Sequence, residues 1–327
     1  KEKLQSMVWE DLDFKNSIQV GEILLEKNPV PTAIEKFEGK SRAYIEIQQG
    51  CDHRCTFCII PFGRGNNRSV PAGEIINRIQ NIVNNGYKEV VLTGVDITDY
   101  GKDLPAKPTF SNLIKRILKL VPELEQLRLS SIDCAEIDNE FWDILSDKRL
   151  MPHFHISLQA GNNMILKRMK RRHSREMAIE FCNKVLSIRS DATFGADIIA
   201  GFPTENEEMF KDSIKLIDEC HLTHLHIFPY SPRENTAAAR MPQLDKKIIK
   251  NRAKILREKG LTNLKKHLTN KIGKKELILV EKNEDQKSFG KDQNFLNVII
   301  NETVKEGNII PCIYTGVENN KLIAKRI

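Results

Sequence analysis

The chain has 327 residues, 40% of them hydrophobic and 29% charged, with a formal net charge of +7. No apolar run approaches the roughly 20 residues needed to cross a bilayer, and no charged-then-apolar leader opens the sequence, which reads as a cytoplasmic protein with no membrane partner. The seven cysteines suit a metal site better than a disulfide framework, because three of them crowd together between Cys51 and Cys58.

In chain order, residues 1–40 read as a connector broken by Asn28, Pro29, Val30 and Pro31. From Ala43 onward, β-rich runs alternate with amphipathic ones: Ala43 to Gln48, Glu89 to Thr93, Gln126 to Ser130, His153 to Leu158, Thr193 to Ala200 and His224 to Phe228. The stretch from Pro71 to Asn85 repeats Ile75, Ile76, Ile79, Ile82 and Val83 at helical spacing, and Gly86 ends it. Such alternation predicts an α/β fold, an incomplete parallel (β/α)6 barrel over residues 41–241, with ligands at the carboxyl ends of the strands. A basic helical linker follows over 242–270. Short runs at Glu276 to Glu281, Asn294 to Ile300, Ile309 to Thr315 and Lys321 to Lys325 then predict a small antiparallel β-barrel over 271–327.

The first predicted strand runs into Cys51-Asp-His-Arg-Cys55-Thr-Phe57-Cys58. Spacings of three and then two residues let one loop wrap three corners of an iron–sulfur cube, for which thiolates are the preferred ligands, and leave the fourth iron open. Zinc is the competing metal, but a structural zinc site is closed by four ligands, and His53, inside the loop, is poorly placed to be the fourth. Cys134, Cys182, Cys220 and Cys312 are scattered and read as buried small hydrophobes.

This loop resembles the signature of the radical S-adenosylmethionine superfamily. Further landmarks resemble the methylthiotransferases within it: Cys58 to Pro71, Leu92 to Gly101, Ile156 to Gly161, Gly195 to Glu205 and Phe228 to Arg233. The stretches Gly65 to Pro71 and Thr93 to Thr98 are most similar to the branch acting on threonylcarbamoyladenosine in tRNA, with the isopentenyladenosine branch next. The resemblance implies a [4Fe-4S] cluster on Cys51, Cys55 and Cys58, and S-adenosylmethionine on its open iron, split reductively to a 5'-deoxyadenosyl radical. It implies cofactor contacts from Phe57, Thr93, Gly94, Ser157, Gln159, Asp197, Ile199 and Gly201, and an electron donor such as flavodoxin or ferredoxin. Gly94 suits a close backbone approach, and Ser157 and Gln159 share one face of their strand.

A tRNA partner gains from charge placement: Arg168, Lys170, Arg171 and Arg172 form one basic cluster, and Lys250 and Arg257 lie on the basic helix, although such runs also serve as solvated faces. The terminal barrel resembles the TRAM module by its position. The pairs His153/His155 and His224/His226 each fall on one strand face, as barrel-end polar residues or as metal ligands. The family's N-terminal domain, with three further cysteines for a second [4Fe-4S] cluster, has no counterpart before Cys51, and the lack of an initiator Met suggests truncation. If that domain were lost, the alternative would be a tRNA-binding protein that modifies nothing.

Overall fold

The computed structural model describes residues 22–27, 29 and 39–327, so the expected connector over residues 1–40 falls almost wholly outside them. The predicted β/α series is present. Its strands are β1 (Ala43–Gln49), a short β2 (Arg68–Ser69), β3 (Glu89–Gly94), β4 (Gln126–Leu129), β5 (His153–Gln159), β6 (Thr193–Ala200) and β7 (Leu222–Pro229). The helices are α1 (Ile60–Arg64), α2 (Ala72–Asn84), α3 (Phe110–Leu120), α4 (Glu140–Ile144), α5 (Asn163–Met169), α6 (Arg175–Ile188), α7 (Glu207–Glu219) and α8 (Lys246–Lys271). Thr109, Ser174 and Asn206 cap α3, α6 and α7 by accepting from the backbone N–H three residues on.

The six parallel strands and the short antiparallel β2 form two half-sheets, β2-β1-β3-β4 and β5-β6-β7. Among the described residues, the β-pairing between them is limited to the isolated bridges Leu127–Leu150 and Ile132–Ile156. Alternate residues of the strands (Ile45 and Ile47; Phe154, Ile156 and Leu158; Phe194, Ala196, Ile198 and Ala200) are buried against the helices. Their neighbours in sequence therefore face the lumen, since side chains alternate across a strand. The basic helix α8 lies along the second half-sheet, burying Ala253 and Leu256 in the same core, and then buries Leu268 in the C-terminal barrel.

That barrel differs from expectation in two ways. It closes with five strands, β8 (Lys275–Glu284), β9 (Lys287–Asp292), β10 (Asn297–Ile300), β11 (Ile309–Glu318) and β12 (Lys321–Arg326). The missed strand β9, Lys-Ser-Phe-Gly-Lys-Asp, has one large apolar residue and no alternation to betray it. Moreover the barrel is not wholly antiparallel: β10 pairs β12 in parallel. A ring with an odd number of strands cannot alternate direction at every step.

Asn294 and Phe295, expected in a strand, instead form a turn that closes the lower end of the larger barrel. Phe295 takes a left-handed backbone, φ 66°, unfavourable for an aromatic residue and held by what surrounds it. The guanidiniums of Arg42 and Arg128 and the Lys291 ammonium lie 5.3, 4.9 and 4.1 Å from its ring centroid, and His153 stacks on it at 5.7 Å. Both arginines also bind Glu89, Arg42 through Nε at 2.7 Å and Arg128 through Nε and Nη2 at 3.1 Å. Burial favours a neutral Glu89 carboxyl, but these two cations outweigh it and keep the pKa low. Asn294 Nδ2 donates to the carbonyls of Pro152 and Asp191 at 3.1 and 2.8 Å.

Replacing Phe295 by Ala is expected to cost about 2–3 kcal/mol, the low end for a phenylalanine because the ring is only half-buried, and to split a single calorimetric transition into two as the barrels uncouple. Burial also holds His153 neutral, well below its ordinary pKa. Below about pH 6.5 the unfolded chain binds a proton that the folded chain refuses, so stability is full above that pH and declines beneath it. In His153→Gln, melting followed from pH 8 to 5 should show a shallower decline.

Candidate active site

The cysteine loop leaves β1 through Gly50, whose φ of +68° and close approach to the Asn66 carbonyl, 1.9 Å from where a Cβ would stand, admit no side chain. Cys51 N–H then bonds the Gly65 carbonyl at 3.1 Å. Beneath the loop, the fully buried Gln48 donates through Nε2 to Gly50 O and Asn67 Oδ1, both at 2.7 Å, and accepts at Oε1 from the N–H groups of Val95 and Asp96. Asn67 in turn donates its backbone N–H to Asp52 Oδ1, and its side-chain Nδ2 donates to the Asp99 carbonyl. A Cβ on Gly94 would stand 2.9 Å from Gln48 Oε1, so Gly94 makes room for that amide.

Across the barrel mouth the loop is tied to the second half-sheet. Thr56 N–H and Oγ1 donate to the carbonyls of Met169 and Arg168, and Thr56 O accepts from Ala238 N–H at 2.8 Å. Phe57 packs edge-on to Phe202, and Phe202 on Tyr230. The loop therefore bridges the two half-sheets at the carboxyl ends of their strands.

The three thiols are partly exposed, and two receive backbone donors: His53 N–H to Cys51 Sγ at 3.3 Å and Ile60 N–H to Cys58 Sγ at 3.4 Å. Arg171 Nη1 stands 3.8 Å from Cys55 Sγ, while its Nη2 donates to Asp133 Oδ2 at 2.7 Å and Ser157 O at 2.8 Å. Burial and the Asp96 carboxylate push the Cys51 thiol up to about 12, and burial raises Cys58, so without a metal both hold their protons. Burial followed by the Glu136 charge raises Asp96 to about 6. Asp133 goes the other way, to about 2, because the His173 imidazole, 3.7 Å away, and the Arg171 charge overcome its burial. His53 turns its Nε2 to Asp96 and Glu136, 3.4 Å from each.

Of the expected cofactor contacts, Thr93, Ser157, Gln159, Asp197 and Ile199 are half-buried on the lumen faces of β3, β5 and β6. Gly201 follows in a left-handed turn, φ +73°, with its N–H bonded to Glu205. The basic residues separate. Lys170, Arg172 and Lys250 are exposed, with Arg172 paired to Glu136, whereas Arg168 and Arg257 donate to the carbonyls of Thr204 and Ile227. Arg171 lies inside, 8% exposed, beside the cysteines instead of on a surface that could track phosphates. Sequence reasoning missed Gln48, Asn67, Asp133 and His173; Asn67 lies within a landmark stretch, and the others gave no local signal. Cys134, Cys182, Cys220 and Cys312 are buried, as expected.

The family model for the radical SAM superfamily matches residues 45–217. A curated relative from Rickettsia prowazekii, the threonylcarbamoyladenosine tRNA methylthiotransferase MtaB, is 51% identical over 319 residues, covering 97% of this chain and 74% of the relative. The chain belongs to the radical SAM superfamily, in its methylthiotransferase family. The MtaB of Aquifex aeolicus is 37% identical over 79% of this chain and 63% of its own length, so the chain spans less than two thirds of that relative. The tRNA-2-methylthio-N(6)-dimethylallyladenosine synthase of Shouchella clausii is 37% identical over 62% of this chain and 39% of its own. Radical SAM enzymes carry a [4Fe-4S] cluster and S-adenosylmethionine, and the donor set fits: three thiols on one loop, with N–H groups and one guanidinium turned to the sulfurs.

In Arg171→Met, Asp133 would stay buried without its guanidinium partner, left with the Ala135 N–H and His173 beside it. Urea denaturation should show a loss of roughly 3 kcal/mol, and adding Asp133→Asn should restore part of it, since the uncompensated charge is then removed.

Proposed function

We propose that the chain is the catalytic and C-terminal part of a methylthiotransferase that converts N6-threonylcarbamoyladenosine, beside the tRNA anticodon, to its 2-methylthio derivative in the cytoplasm. The observation carrying this reading is the Cys51, Cys55, Cys58 loop fastened across the mouth of a half-open barrel, in a chain 51% identical to MtaB.

Cys51, Cys55 and Cys58 would hold the cluster through their thiolates, with His53 and Ile60 N–H donating to two sulfurs and Arg171 adding positive charge beside the third. When bound, the cluster and S-adenosylmethionine supply a reductive carbon–sulfur cleavage and hence a radical able to take hydrogen from an unactivated C–H bond. The chain's own residues orient and enclose. Phe57, Thr93, Gly94, Ser157, Gln159, Ile199 and Gly201 would position the cofactor in the lumen. The Phe295 turn closes the lower end and restricts water there. Lys170, Arg172 and Lys250, exposed at the surface, would meet tRNA phosphates, and the C-terminal barrel would add RNA contacts in the manner of a TRAM module. A flavodoxin or ferredoxin would deliver the electron.

The test is mass spectrometry of tRNA nucleosides from cells lacking the gene, complemented with it or with its Cys55→Ala form. The 2-methylthio derivative of threonylcarbamoyladenosine should return only with the unaltered gene. Its persistence in the deletion strain, or its return with Cys55→Ala, would end this reading; loss of the 2-methylthio isopentenyl derivative instead would move the chain to the other branch.

A further inference from the structure

Below the cysteine loop, three adjacent strands put His155 (β5), Asp197 (β6) and His226 (β7) on the lumen face. His155 Nε2 and His226 Nδ1 stand 3.0 and 3.2 Å from the same oxygen, Asp197 Oδ1, and the ligand atoms of all three lie within 4.8 Å of one another. We propose that His155, Asp197 and His226 form a divalent-cation site, separate from the iron–sulfur site and suited to Zn2+ or Fe2+, with positions open to the lumen.

The donor set is two imidazoles and one carboxylate, the combination that binds these ions while leaving coordination positions free. Atoms ligating one ion at about 2.0–2.2 Å lie roughly 3.0–3.5 Å apart, so the two nitrogen–oxygen separations already match. Without an ion, the two imidazole N–H groups converge on one oxygen. An ion takes their place, and each ring then carries its proton on its other nitrogen, with no net change of charge on the protein.

A second feature points the same way. A Cβ on Gly195 would stand 2.6 Å from His155 Nδ1, so the imidazole occupies room that only glycine leaves on β6. The three side chains grade from inside to outside, 13% exposed for His155, 24% for Asp197 and 64% for His226, so the open side of the site meets whatever enters the lumen. Strands hold ligands more rigidly than loops do, and here the pairing of β6 with β7 sets Asp197 directly beside His226.

The experiment separates this site from the cysteines. In the full chain with Cys51, Cys55 and Cys58 all changed to Ser, Zn2+ is titrated by calorimetry and Co2+ by its visible absorption, with circular dichroism confirming the fold. One ion per chain is expected, with affinity at least about tenfold weaker in Asp197→Asn and in His226→Gln. Should the triple variant not fold, metal analysis of the reconstituted wild type should find one equivalent beyond the cluster iron, absent from His226→Gln. No ion bound, or an ion bound equally well by both variants, would overturn the proposal.

Discussion

Three thiols carried by eight consecutive residues must be held at fixed positions over the mouth of a barrel whose two half-sheets scarcely pair. Everything else at that end of the molecule serves this constraint. Gln48, without exposed surface, fastens the loop from below by bonding Gly50, Asn67 and the turn after β3 together. Thr56 and Phe57 fasten it laterally, to the last carbonyls of α5 and to the aromatic cluster above β6 and β7. Because those two anchors belong to different half-sheets, the loop is itself a joint between them.

Electrostatics around the loop follow from the same placement. Four carboxylates, Asp96, Asp99, Asp133 and Glu136, gather near the cysteines, and His53, Lys102, Arg171 and Arg172 oppose them. Burial raises the Cys51 and Cys58 thiols and Asp96, whereas Asp133 stays ionised because a buried guanidinium faces it. Arg171 therefore belongs to two devices at once: it neutralises Asp133 and brings positive charge to within 3.8 Å of Cys55.

The lower end of the barrel obeys a different rule. Arg42 just before β1, Glu89 at the start of β3 and Arg128 within β4 meet at the lower end, where a lumen open at both ends would leave them in water. The Phe295 turn of the C-terminal barrel covers them, exchanging hydration for cation–π contact and a paired carboxylate. The second barrel is thus part of the catalytic unit's architecture, whatever RNA contacts it also makes.

Much of this was legible in the chain. The six parallel strands lie within a residue or two of where β-rich runs end in glycine or polar residues, and α2 covers the isoleucine repeat, because period and punctuation are local properties. The cysteine spacing likewise pointed to a metal site before any fold was known. Strand β9 escaped because its six residues carry no alternation, and the parallel β10–β12 pair because closure belongs to the ring as a whole. Arg171 looked like one more surface cation among its basic neighbours; only the approach of α5 to the turn after β4 put it against Asp133.

By itself, then, the sequence determined the order of strands and helices, the cysteine loop and the family, all of which depend on residues close together in the chain. Tertiary structure alone decided that Gln48 supports the loop, that Phe295 closes the lumen, and that His155, Asp197 and His226 meet. Those contacts join residues from separate strands, and their energies depend on burial and distance, which no local pattern encodes.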